Sequence, residues 1–402
     1  MMQGGLKLKV VELCDFVAGP YCGKLLADFG ADVIKIERPG RGDDARHIGP
    51  FRGDLPNPEA SGTFLYLNTG KRSVTLDIET EDGRAVLREL LRDADVLIED
   101  RMPGELARLG LGYEDLQALN PGLIVTSITP FGQVGPYRDY KARHLNLYHA
   151  SGQGYLLPMW AINLDVPPCQ GPGYLGLYDG GMAGATATLA ALFWRDNGGT
   201  GQHIDVSIQH AMMALERSQL RRYVDDGVSP NRTGKGRLLE SLVECKDGEF
   251  AVVILSSQQQ WEGLWRAMGK PEWGTKPPFD TQKGRSDNYA ELRKRLNDWS
   301  RTVTQDELFH RVQAEGSAAA PILTAEGVFK SEQFRSRDHF VTIDHPVAGP
   351  LEYVDQPTRL PNADLPPKRP APLLGQHTAE VLGGLPGYDR DRLQRLARNG
   401  VI

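Results

Sequence analysis

Between residues 8 and 130 the hydrophobic period of the chain keeps switching, and that alternation restricts the fold more than any other feature. "LKVVEL" reads as a strand, "PYCGKLLADFG" as a helix ending at Gly30, and "ADVIKIERPG" as a strand running into a turn. "RSVTLDIE" is a further strand. "TEDGRAVLRELLRDA" is a helix, because Leu87, Leu90 and Leu91 fall three and four apart on one face. "DVLIED" and "GLIVTSITPFG" complete the series. Strands alternating with helices form a mostly parallel sheet with helices on both faces, so the fold class expected is α/β. Such sheets bind ligands beyond the carboxyl ends of their strands, which directs attention to the loops after Val11, Ile36, Ile98 and Ser127.

Residues 133 to 178 are loop-rich, mixing Gly, Pro, Tyr and Trp. A small-residue helix is expected over roughly 180–195, then a strand, "QHIDVSI", and a helix, "HAMMALERSQLRRYVDD". "GVSPNRTGKGR" reads as a linker. Beyond it, short strands ("FAVVIL") and helices ("QQQWEGLWRAMG", "AELRKRLNDWSR", "QDELFHRVQAEG") describe a smaller α+β domain. The segments expected are 1–226, 227–330 and 331–402, the last of them proline-rich from Pro357 to Pro372. Net charge is −6, from 46 basic and 52 acidic residues, which argues against nonspecific nucleic-acid binding. The four cysteines are scattered without a CxxC pair, so neither a zinc site nor a disulfide framework is indicated. The N-terminus lacks an apolar signal core and no stretch approaches 18 apolar residues. The expectation is a reduced, soluble, cytoplasmic protein.

The first strand–loop–helix carries "DFVAGPYCGK", with only Gly19 and Gly23 where a dinucleotide fold wants GxGxxG, which argues against NAD. The second strand ends in "KIERPGRGDDAR", placing Lys35, Arg38, Arg41 and Arg46 around a turn at the ligand edge. Lys71 and Arg72 stand just before another strand. Guanidinium forks pair with phosphate oxygens, so two such clusters fit a ligand with several phosphates; solvated turn residues are the plain alternative.

Four blocks of the chain carry a resemblance to a known family. "VVELCDFVAGPYCGKLLADFGADVIKIERPGRGDDAR", the long block from "NTGKRSVTLD" to "TPFGQVGPY", "TGQHIDVSIQHAMMALE" and "APLLGQHTAEVL" resemble the class III CoA-transferases, the CaiB/BaiF or formyl-CoA transferase family. The likeness covers nearly the whole chain, in the family order. It implies a Rossmann-like large domain built from both ends of the chain, a small domain from the middle, and two subunits interlaced like linked rings. It implies that the large domain binds coenzyme A, the phosphate end near the second strand. Carried over by position, Arg38, the pair Lys71 and Arg72, and Arg108 are CoA contacts, and Phe16, Val17 and Ala18 approach the pantetheine and thioester. Asp100 stands where the family has asparagine, an anion in place of a neutral group.

The resemblance further implies an enzyme that moves CoA from an acyl-CoA to a carboxylic acid, without a metal, through a covalent aspartyl intermediate. The family aspartate lies 12 residues before "LAAL", which begins here at Leu189; the matching residue is Leu177. Asp179, two residues later, is the nearby carboxylate. Either it is the nucleophile, or it caps a helix starting at Gly180, where aspartate is a favoured N-cap. His144 and His149 lie on a segment facing the active site in relatives and are candidate acceptor-binding or proton-moving groups. Trp160 and Tyr174 are candidates for an acceptor pocket, and Gln259 and Trp261 for a closing element. Two other readings stay open: an acyl-CoA racemase using Asp179 with His144 or His149, or a CoA-binding subunit without its own chemistry, paired with an active homologue.

Overall fold

The computed structural model of the protein describes residues 2–3, 5–158, 165–215, 217–229, 232 and 240–402. Six strands, β1 (Lys9–Leu13), β2 (Asp32–Glu37), β3 (Arg72–Thr75), β4 (Val96–Glu99), β5 (Ile124–Thr129) and β6 (His203–Ser207), lie in the order β3-β2-β1-β4-β5-β6. Every pairing is parallel. Successive strand residues point to opposite faces. Val10, Val33, Val96 and Ile124 therefore enter one core, and Val11, Ile34, Leu97 and Val125 the other. Burial on both faces is why the strands read as apolar runs rather than alternating ones. The α/β expectation holds.

Helix α1 (Ala18–Asp28) contributes Cys22 and Leu26 to the first core, and α2 (Glu81–Leu91) contributes Val86, Leu87, Leu90 and Leu91 to the second. The Thr80 hydroxyl caps α2 by accepting from Gly83 N–H, with Glu81 and Asp82 favourably placed in its first turn. The strand order reverses between β1 and β4, so the loops after these two strands border the crevice where such sheets take ligands.

The helix expected over roughly 180–195 runs Leu175–Asp196 and is called α4; α3 is the short helix His144–Ala150 before it. The extra turn exists because Gly176 N–H finds an acceptor in His144, a residue far back in the sequence. After β6 follow α5 (Ile208–Leu215) and α6 (Arg217–Asp226).

Two compact units divide the chain: Met1–Pro158 with Val166–Asn231 and His339–Ile402, and Met159–Asp165 with Arg232–Asp338. The second unit has an antiparallel sheet of Glu240–Glu244, Phe250–Ile254 and Ala319–Pro321. Its core includes Trp261, Phe279, Leu292 and Leu296. Trp261 is buried, its indole N–H donating to the Gly274 carbonyl at 3.0 Å, so it is a core residue and not a closing element. Most of the expected linker, and Trp160, lie outside the described residues.

Candidate active site

The loop that leaves β1 is the centre of the ligand edge. Phe16 adopts a left-handed backbone (φ 72°), uncommon for a residue with a Cβ. Beside it, Asp15 sits between two guanidinium groups, Arg38 at 3.0 Å and Arg101 at 3.6 Å. Arg38 and Arg101 line a small pocket together with Leu13, Ile36, Leu76 and Glu105, all at the carboxyl ends of β1 to β4 or just beyond. Arg101 was not singled out by the sequence reading; its signal is an arginine directly after β4, at the reversal of strand order. Arg108 is mostly exposed and pairs with Glu79 at 3.4 Å.

Asp100 is interior. It accepts a hydrogen bond from Asp15 N–H at 2.8 Å, and burial, reinforced by the Asp15 charge, pushes its acid well above the usual carboxylate range. The group is held toward its neutral form, which is what an asparagine at this place would be.

The second basic cluster is placed differently from the expectation. Lys71 is buried, its ammonium pairing with Glu12 at 2.7 Å and donating to the Pro20 carbonyl and Asn68 Oδ1 at 2.8 and 2.9 Å. Desolvation pulls it down to about 8. Arg72 begins β3, so it stands at the amino end of the sheet, and its guanidinium pairs with Asp32 and Glu380. Neither presents a cation to the carboxyl edge. The physical reason is that strand direction puts the start of β3 and the end of β2 at opposite ends of the sheet.

Three other candidates do come together. The Tyr174 ring meets Phe16 edge-on at 4.8 Å and lies 6.0 Å from His144. His144 is buried; its Nε2 accepts from Gly176 N–H at 3.2 Å while Nδ1 faces Gln170 Oε1 at 3.1 Å. A backbone N–H can only donate, so Nε2 carries the lone pair and Nδ1–H donates to Gln170. Burial lowers its pKa, in keeping with a neutral ring. His144 is thus engaged in capping α4, which removes it as a free base. Its neighbour His149 is half-buried against the Tyr148 ring. Val17 and Ala18 are buried at the start of α1.

Asp179 is not a cap. The N-cap of α4 is Tyr174, and Asp179 lies in the second turn, about 7.5 Å further along the axis. Its carboxylate is half-buried, has no hydrogen-bond or ion-pair partner among the described residues, and desolvation raises its pKa. Leu177 shares the same continuous helix, so the two side chains diverge by about 200°. Leu177 is buried in the core with Val17, Ala18 and Cys22. One turn on, Gly181 packs so closely on α1 that a Cβ there would lie 2.5 Å from the Ala18 carbonyl oxygen. The 177/181 column therefore faces α1, and Asp179 faces away from it.

The profile of CoA-transferase family III matches residues 7–378. The succinyl-CoA–D-citramalate CoA-transferase of Chloroflexus aurantiacus is 34% identical over 405 residues, covering 98% of this chain and 97% of that one. A formyl-CoA:oxalate CoA-transferase of Escherichia coli is 32% identical over 419 residues, covering 98% of each. Among solved structures, a CaiB/BaiF family protein from Brucella suis superposes with a TM-score of 0.80 at 32% identity, over 93% of this chain and 97% of that one. Rv3272 from Mycobacterium tuberculosis gives 0.79 at 28%, over 94% and 99%. The chain belongs to CoA-transferase family III.

Proposed function

We propose that the protein moves CoA from an acyl-CoA thioester to a carboxylic acid, holding the exchanged acyl group on Asp179. The observation that carries this is a half-buried, unpartnered carboxylate of raised pKa near the start of α4. Asp179 Oδ attacks the thioester carbonyl; the C–S bond breaks, CoA leaves as the thiolate, and a mixed anhydride forms. The thiolate then attacks the aspartyl carbonyl, releasing the donor acid and leaving an aspartyl-CoA thioester. The acceptor carboxylate attacks that thioester and expels the thiolate, forming a second anhydride. Attack of the thiolate on the acceptor acyl carbon frees Asp179 and yields the new thioester. Charge and electrons balance without a metal or an oxidant. In this reading Arg38 and Arg101 take the phosphates, and Phe16 with Tyr174 borders the acyl end.

A second reading is favoured by Leu177. The position matched to the family aspartate is a buried leucine, as a CoA-binding subunit that relies on an active homologue would have it. Trapping separates the two. With acyl-CoA present, hydroxylamine or borohydride is expected to leave an adduct on the peptide bearing Asp179, and none without acyl-CoA. Full transfer activity in Asp179→Ala would remove the nucleophile reading. Activity that appears only on adding a homologous subunit would establish the second.

A further inference from the structure

Four buried side chains converge on the backbone of Cys14–Pro20, the loop after β1 and the first turn of α1, and none of them takes part in the transfer steps. Lys35 Nζ donates to the Cys14 carbonyl at 2.9 Å. Asp100 Oδ2 accepts from Asp15 N–H, and Asp43 Oδ1 from Phe16 N–H, both at 2.8 Å. Lys71 Nζ donates to the Pro20 carbonyl at 2.8 Å. Three of the anchors are joined through Glu12: it pairs with Lys35 at 2.9 Å and with Lys71 at 2.7 Å, and Lys35 pairs with Asp43 at 2.7 Å. The side chains of Glu12, Lys35, Asp43 and Lys71 have no solvent exposure.

The two glycines of "AGPYCGK" find their use here. A Cβ at Gly23 would lie 1.8 Å from the Glu12 carboxylate, and one at Gly19 would lie 2.3 Å from Cys14 Sγ. Gly23 admits the buried Glu12 carboxylate beneath α1 and Gly19 the Cys14 side chain, where a dinucleotide fold would use glycines to admit a pyrophosphate. The network also accounts for the left-handed Phe16, because such a backbone persists only where its surroundings over-determine it.

We infer that Asp43, with the Lys35–Glu12–Lys71 chain behind it, is a positioning residue that fixes the Phe16–Ala18 backbone at the ligand edge, beside the pocket lined by Arg38 and Arg101. Its part in the reaction rests on the CoA-transfer reading above; its hold on the loop does not. Small misplacement of a reacting group costs on the order of 100-fold in rate.

Amide hydrogen exchange on the full-length wild-type protein tests the hold without any substrate. The amides of Asp15 and Phe16 have no backbone partner, yet they should exchange at least tenfold more slowly than the exposed loop amides around Gly135. Fast exchange at both in the folded protein overturns the inference. The double variant Asp43→Ala/Lys35→Met removes the anchor without leaving an unpaired charge. It should raise exchange at Phe16 at least tenfold while the β4 and β5 amides stay protected, and lower kcat by about 100-fold with KM changed less than threefold. Asp43→Asn/Lys35→Met keeps the acceptor oxygen for Phe16 N–H, leaves Glu12 paired with Lys71, and should restore both the protection and kcat to within about tenfold of wild type. Unchanged Phe16 protection in the Ala/Met variant, or failure of the Asn/Met variant to restore it, overturns the assignment. If the wild type transfers CoA between no donor and acceptor, the functional reading falls, and the exchange data still decide whether Asp43 holds the loop.

Discussion

Two side chains, Asp179 and His144, decide what happens at the start of α4. Asp179 has no hydrogen-bond or ion-pair partner among the described residues and is partly desolvated, which raises its pKa. As a nucleophile it must be ionised, so kcat/KM should rise with pH through a limb lying above the roughly 3.9 of an exposed aspartate. Asp179→Asn should lower transfer at least 100-fold with little loss of stability, because the change is nearly isosteric and removes no hydrogen bond or ion pair among the described residues; steady-state rates and urea melts measure both. His144 behaves oppositely. It is tied into the fold, and losing the acceptor of Gly176 N–H in His144→Phe should cost about 1 kcal/mol. Its folded pKa is depressed, so below about 6.5 the unfolded chain takes up a proton that the folded chain refuses. Its share of stability is complete above that pH and falls as pH drops toward the folded value. His203 and His377 are lowered too, by burial first, so His144→Gln should flatten only part of the slope seen in urea unfolding between pH 7 and 5.

At the scale of elements, the packing of α4 on α1 sets the geometry of the site, and glycines set the packing. Ala is favoured over Gly inside a helix by about 1 kcal/mol, so propensity alone would make each Gly→Ala change in α4 stabilising. The surroundings reverse this unequally. At Gly176 the new Cβ meets the flexible end of Met212, which can turn aside, whereas at Gly181 it meets the Ala18 carbonyl, which cannot. Gly181→Ala should therefore cost roughly 1–3 kcal/mol and lower transfer activity, while Gly176→Ala stays within about 1 kcal/mol of wild type; thermal melts rank them. The sheet was legible in the sequence because each strand is buried on both faces and each helix on one, so period alone separates them. The family blocks pointed to Phe16 alone of the Phe16, Tyr174 and His144 group; the other two were separate candidates whose meeting depends on the fold. The start of α4 was not, since it is fixed by an acceptor on another helix, and the cap reading of Asp179 fell with it. Lys71 and the network around Asp43 were missed because charge pairing between separate segments is set by register. The readable trace was a lone charge inside an apolar strand, Glu12 in "VVEL" and Lys35 in "VIKIE".

For the whole molecule, the unexplained surface is apolar. On α4, Leu175, Met182, Leu189 and Phe193 recur every four or seven residues on one face, and Phe193 is 73% exposed. Leu220, Tyr223 and Val224 on α6 add to the exposed apolar side chains. Covering each large apolar group is worth about 1.5–3 kcal/mol, enough for several of them to hold two copies together. We propose a second copy of this chain as the cover, interlaced with the first as the family resemblance implies. Both ends of the chain belong to the first unit, tied by Thr75 N–H to Thr378 Oγ1 and by Asp77 N–H to the Val401 carbonyl, while Arg232–Asp338 forms the second. Two subunits linked in that way part only when one of them unfolds. Dimers of tagged and untagged protein, mixed under native conditions, should therefore form no mixed species over days, and should form them readily after unfolding in urea and refolding. Native mass spectrometry reads the difference. Exchange within hours in buffer alone would mean an ordinary face-to-face dimer, and a monomer mass at micromolar concentration would leave the α4 face to some other partner.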